Sequence, residues 1–86
     1  MIDTKPIKLS GGANNATVLA YTQKWHGGEG MRRHGVVICY LPGNYDEFVT
    51  WTAYYVPEDE EWFAETGHYF NNIIDAAKDY EKRGGK

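Results

Sequence analysis

Apolar and β-branched residues concentrate in two runs, 36–41 (Val-Val-Ile-Cys-Tyr-Leu) and 48–56 (Phe-Val-Thr-Trp-Thr-Ala-Tyr-Tyr-Val). Branched and aromatic side chains pack well on a pleated surface, so both runs favour strands. Pro42, Gly43, Asn44, Tyr45 and Asp46 lie between them, and their turn chemistry predicts a hairpin. Side chains alternate along a strand. The second run therefore puts Phe48, Thr50, Thr52, Tyr54 and Val56 on one face and Val49, Trp51, Ala53 and Tyr55 on the other. Neither face is polar, so the sheet is either covered on both sides or leaves aromatic surface for a partner.

Upstream, residues 17–25 alternate again, with Leu19, Tyr21, Gln23 and Trp25 opposite Val18, Ala20, Thr22 and Lys24, which predicts a first strand. The connection His26-Gly27-Gly28-Glu29-Gly30-Met31-Arg32-Arg33-His34-Gly35 is longer than a tight hairpin needs. Residues 1–15 are polar and contain Pro6 and Ser10-Gly11-Gly12. They read as an arm followed by a loop or a short edge strand around 7–9, and as the segment expected to be most mobile.

Downstream, Pro57 and the acidic residues after it form a charged turn, followed by a fourth, shorter strand over 62–70. A helix opening at Pro57 is the alternative, because proline followed by acids also starts helices. Gly67 argues against one continuous helix to Arg83, since a mid-helix glycine costs roughly 1 kcal/mol. Asn71 or Asn72 can cap a last helix through Arg83, with Ile73, Ile74, Ala77 and Tyr80 on its apolar stripe. Asp75 and Asp79 near its start and Lys82 and Arg83 at its end suit the helix dipole.

The pattern predicts a single α+β domain over 1–86: an arm and loop (1–15), a four-stranded antiparallel β-meander (16–70) and one C-terminal α-helix (71–83) packed on a face. Four strands span roughly 15 Å at a spacing of about 4.8 Å, whereas a helix is about 10 Å across, so one helix cannot cover the sheet. The face left over predicts a partner surface or a homodimer.

With 12 acidic against 9 basic residues, the net charge of −3 makes general nucleic-acid binding unfavourable. Trp51 also has no Lys or Arg within ten residues on either side. The single cysteine, Cys39, sits inside an apolar strand and reads as a buried hydrophobe, which suits a reducing compartment. No signal-peptide core or membrane-length apolar stretch is present, so the expected location is cytoplasmic, with no membrane partner.

Three clusters could carry chemistry. The glycine loop with Lys24, Arg32 and Arg33 could hold an anionic ligand or nucleic acid through backbone N–H groups and guanidinium. It lacks a phosphate-loop or dinucleotide signature, and a flexible hairpin connection with solvated arginines is the favoured reading. His26, Glu29 and His34, with His68 remote, could form a small metal-dependent hydrolase site, although their spacing matches no established metal motif. Glu58, Asp59, Glu60 and Glu61 beside Trp62 and Phe63 suit a binding patch, with acids steering a basic partner and aromatics supplying contact area; a solvated turn before a packed strand is the plainer reading. No cofactor is implied. The residues expected to meet a partner are Trp25, Arg32, Arg33, Trp51, Tyr55, Glu58, Asp59, Glu60, Glu61 and Trp62.

Between Glu47 and Arg83, Phe48-Val49-Thr50-Trp51, the acidic turn, Gly67-His68-Tyr69-Phe70 and the closing Ala76-Ala77-Lys78-Asp79-Tyr80-Glu81-Lys82-Arg83 helix follow one another in an order that resembles small orphan proteins of bacteriophages and mobile elements. The resemblance covers less than half of the chain and transfers no functional residue. It implies an accessory factor that binds a host protein or protein complex, such as an inhibitor of CRISPR or related immunity. The leading expectation is thus a non-enzymatic protein-binding module of the phage-inhibitor kind.

Overall fold

The computed structural model describes residues 6–23, 25–27 and 32–85. Four strands, β1 (Thr17–Tyr21), β2 (His34–Tyr40), β3 (Phe48–Val56) and β4 (Glu61–Phe70), are followed by one helix, α1 (Ile73–Lys82). The strands lie in the order β1-β2-β3-β4 with every neighbouring pair antiparallel, which makes the sheet a meander and the fold α+β. No helix opens at Pro57; residues 57–60 form a turn, and β4 is the longest strand rather than a short one. Among the described residues no helix is long and apolar enough to cross a membrane.

A bulge in β4 decides which side chains share a face. Thr50 pairs with His68 but Thr52 pairs with Glu65, so Thr66 and Gly67 together stand opposite Trp51. Thr66 takes a φ of 55°, a left-handed conformation that is uncommon for a β-branched residue. Gly67 is required beside it: a Cβ there would lie 2.6 Å from the Trp51 indole nitrogen. The extra residue resets the alternation. Phe63, Glu65, His68 and Phe70 consequently all lie on the same face as their partners Tyr54, Thr52, Thr50 and Phe48.

α1 packs on that face. Asn72 caps it by accepting the Asp75 amide at 2.9 Å, and Val36, Ile38, Ala76 and Tyr80 form the buried cluster beneath, with Phe48 and Phe70 against it. The predicted stripe is displaced by this geometry. Ile73 and Ile74 are exposed, and the row that meets the sheet is Ala76, Asp79, Tyr80 and Arg83, at the i, i+3, i+4, i+7 spacing of one helix face.

The opposite face is covered by the chain's own beginning. Val37, Cys39, Val49, Trp51, Ala53 and Trp62 pack beneath Leu9, Ala13 and Ala16. Leu9 is fully buried and forms a parallel bridge with Trp62, and the Ser10 amide donates to the Trp62 carbonyl at 2.8 Å. From Pro6 onward the predicted mobile arm is therefore a docked lid, while residues 1–5 lie outside the described ones. The lid's apolar residues supply what the sheet's aromatic face needs, since burying one Leu side chain is worth about 1.5–3 kcal/mol.

Candidate functional site

The helix covers only part of its own face, and a polar clamp marks where the cover ends. Thr50 Oγ1 donates to Asp79 Oδ2 at 2.5 Å, and His68 Nδ1 lies 2.9 Å from the same oxygen. Because an ionised carboxylate only accepts, the His68 Nδ1 carries the proton in that contact. Arg83 donates to the Thr50 carbonyl (2.9 Å), to Thr50 Oγ1 (3.0 Å) and to Thr52 Oγ1 (2.9 Å). Burial would raise the Asp79 pKa, but the hydrogen bonds from Thr50 and His68 and the charges of His68 and Arg83 outweigh it and hold the carboxyl below its ordinary value.

Past Arg83 the sheet is open. Arg32, His34, Thr52, Tyr54 and Glu65 line a concavity of about 540 Å³, a size that suits a side chain or a small ligand. Tyr54 and Phe63 are cross-strand partners whose rings lie 6.0 Å apart and 28° from parallel. Arg32 places its guanidinium carbon 5.6 Å from the centre of the Tyr54 ring, within cation–π range. Its backbone is held on its C-terminal side. The His34 ring takes a 3.0 Å contact to the Arg32 carbonyl, in which Nδ1–H donates, and the Tyr55 amide donates to the Arg33 carbonyl at 2.9 Å. Glu65 has no ion-pair partner among the described residues.

The acidic turn adjoins this opening. Val56 pairs with Glu61 and Tyr54 with Phe63, so Glu58, Asp59 and Glu60 cap the same end of the sheet that carries the ring pair. All of them and Glu61 are exposed. The turn is fixed by hydrogen bonds from Asp59 to the Val56 carbonyl and from Glu60 to the Pro57 carbonyl, each 3.2 Å.

The residues expected to meet a partner are thus divided. Trp51 and Trp62, 7% and 4% exposed, belong to the core beneath the N-terminal lid, and their indoles are not contact surface. Trp25 and Tyr55 are half-buried and packed on Trp62, at ring separations of 4.7 Å and 5.3 Å. These four aromatics fasten the lid. Arg32 stands exposed at the concavity, Arg33 is half-buried, and the acidic residues are exposed as expected. Missed were Tyr54, Thr52 and Glu65 and the clamp of Asp79 and Arg83, while His68, considered for a metal, serves that clamp instead; the alternation of 48–56 places Tyr54 and Thr52 together, but nothing in it shows which face is covered.

The other candidate chemistry fares differently. The His26 and His34 rings stand 5.7 Å apart, and Glu29 lies outside the described residues, as do Lys24 and residues 28–31 of the glycine loop. Among the described residues no three His, Cys, Asp or Glu side chains come together as a metal site. Burial pushes the Cys39 thiol up to about 12, so it stays protonated at neutral pH and is no thiolate nucleophile. Comparison with protein-family models, with curated proteins and with solved structures found no match to this chain in any of the three.

Proposed function

We propose that the protein is a non-enzymatic protein-binding module that receives a basic segment of its partner on the open half of the helix-side sheet face. One observation carries this reading: Tyr54, stacked on Phe63, lines an open concavity with Glu65 in its wall, and the exposed turn of Glu58, Asp59 and Glu60 lies just beyond, past the Val56–Glu61 pair. Aromatic centres with charged rims are the usual composition of protein interfaces, and clustered carboxylates speed the approach of a cationic partner. The resemblance to small phage proteins adds a class of partner, a host protein or defence complex, whose nucleic-acid-binding surfaces are basic.

The test is titration of a fluorescent oligo-arginine peptide. Changing Glu58, Asp59, Glu60 and Glu61 together to Lys should abolish binding while circular dichroism stays unchanged, because all four are exposed. Unchanged affinity would remove the acidic tip from the surface. Added salt should weaken wild-type binding, as screening of exposed charges requires. Light scattering reads the other occupant of such a face, a second copy; a stable dimer that excludes the peptide would assign the surface to self-association.

A second reading is favoured by Arg32 and His34 in the concavity, which could hold a small anion. It requires Arg32→Ala with Arg33→Ala to weaken binding of an anionic ligand such as a nucleotide.

A further inference from the structure

Arg32 is the only lysine or arginine among the described residues that line the concavity, and it does not pair with the carboxylate there. Its guanidinium lies over Tyr54 instead. Glu65 is the one carboxylate in the wall, Arg83 is spent on Thr50 and Thr52 at the far side, and the exposed acids Glu58, Asp59, Glu60 and Glu61 lie at the adjoining end of the sheet. A site built this way attracts cations, and its one ring face within cation–π reach of a cation is already occupied by the chain's own.

We infer that Arg32 is an internal occupant of a cation seat formed by Tyr54 and Glu65, and that an arginine of the partner displaces it on binding. The inference rests on the protein-binding reading above and adds a mask to it. Three features make displacement feasible. The Arg32 side chain is exposed, so it can leave the ring for water. Its backbone is pinned by the contacts from His34 and at Arg33, so the side chain can swing without moving the strands. A guest arginine can stack on the Tyr54 ring and pair with Glu65 at once, whereas Arg32 makes only the first of these contacts.

The experiment uses the full chain and the same oligo-arginine peptide, with oligo-lysine for comparison. Arg32→Gln should tighten binding about two- to five-fold, the factor by which one exposed cation–π contact would compete. Removal of a positive charge also helps by itself, so Arg33→Gln is the matched control, and its gain should be clearly smaller. In a Tyr54→Leu background the Arg32→Gln gain should vanish, and oligo-lysine, which stacks less well, should show less of it. Proton NMR of the unaltered protein gives a reading that needs no variant: ring-current shifts on the Arg32 methylenes should be present in the free protein and disappear as peptide is added.

Equal gains from Arg32→Gln and Arg33→Gln, or ring-current shifts that persist at saturation, would overturn the mask and leave the protein-binding reading standing. Weaker binding on Arg32→Gln would overturn it in favour of a direct contact by Arg32. Absence of peptide binding in every variant would remove the cation seat and the protein-binding reading of this surface together.

Discussion

The two faces of this sheet are closed by different means. One is sealed by apolar residues from the chain's beginning, with Leu9 fully buried against Trp62. The other is half sealed by a helix whose inward row carries Asp79 and Arg83 beside Ala76 and Tyr80. Apolar cover has no natural edge, because each added hydrophobe gains from burial. A charged inward residue sets one, since its polar partners must lie where its hydrogen bonds can reach. The clamp at Thr50 and Thr52 therefore leaves the sheet open beyond it, with Tyr54 half-buried at the concavity rather than sealed.

The contrast breaks most readily at the sealed face. Leu9→Ala should cost about 2–5 kcal/mol in urea denaturation, the range for truncating a fully buried leucine. Ile74→Ala, at an exposed helix position, should fall within about 0.5 kcal/mol of the wild type. Similar costs for the two would mean that the lid is not part of the folded core.

The clamp comes next. Asp79→Asn should cost about 1–3 kcal/mol at neutral pH, because it takes the charge from an acceptor that serves both Thr50 and His68. Its pH dependence has a definite sign. The folded carboxyl titrates below its unfolded value, so its stabilisation is complete above the ordinary aspartate range near about pH 4 and is lost as pH falls through the folded pKa. Wild-type urea midpoints should therefore fall in acid more steeply than those of Asp79→Asn. Parallel acid limbs would show that the clamp contributes no proton linkage.

The smallest effect on stability belongs to the open face. Tyr54→Leu should change the unfolding free energy by less than about 1.5 kcal/mol, as expected when a half-exposed aromatic is replaced by another apolar side chain. The same change should remove most affinity for the oligo-arginine peptide. A large loss of stability with binding retained would make Tyr54 a packing residue and reverse the roles of the two faces.

The sequence displays the strands and the helix cap clearly because each rests on local chemistry. The runs at 36–41 and 48–56 are β-branched, and Asn72 with Asp75 makes a local cap. What it conceals depends on residues far apart. The bulge at Thr66 and Gly67 shifts the parity of β4, and the room it needs is set by the Trp51 indole on the neighbouring strand, against which only a glycine fits. The helix stripe is hidden because its inward row includes Asp79 and Arg83, which hydropathy assigns to solvent. Leu9, Ala13 and Ala16 are scattered among glycine, serine and asparagine and follow no period. For the site, Arg32 and the acidic tip are visible as exposed charges. Trp51 and Trp62 mislead because aromatic size suits a core and an interface equally.

The parallel bridge between Leu9 and Trp62 also bears on how the chain assembles during synthesis. Leu9, among the first described residues made, is partnered by the last of the four strands to leave the ribosome. Until Trp62 emerges, Leu9 has no docking place, and until Asp79 and Arg83 follow, Thr50 has no clamp. Neither layer can close on a partial chain, so the domain should fold late and in one cooperative step, with non-local pairings setting its rate. Nascent chains arrested before β4 should accordingly remain sensitive to protease along their whole released length.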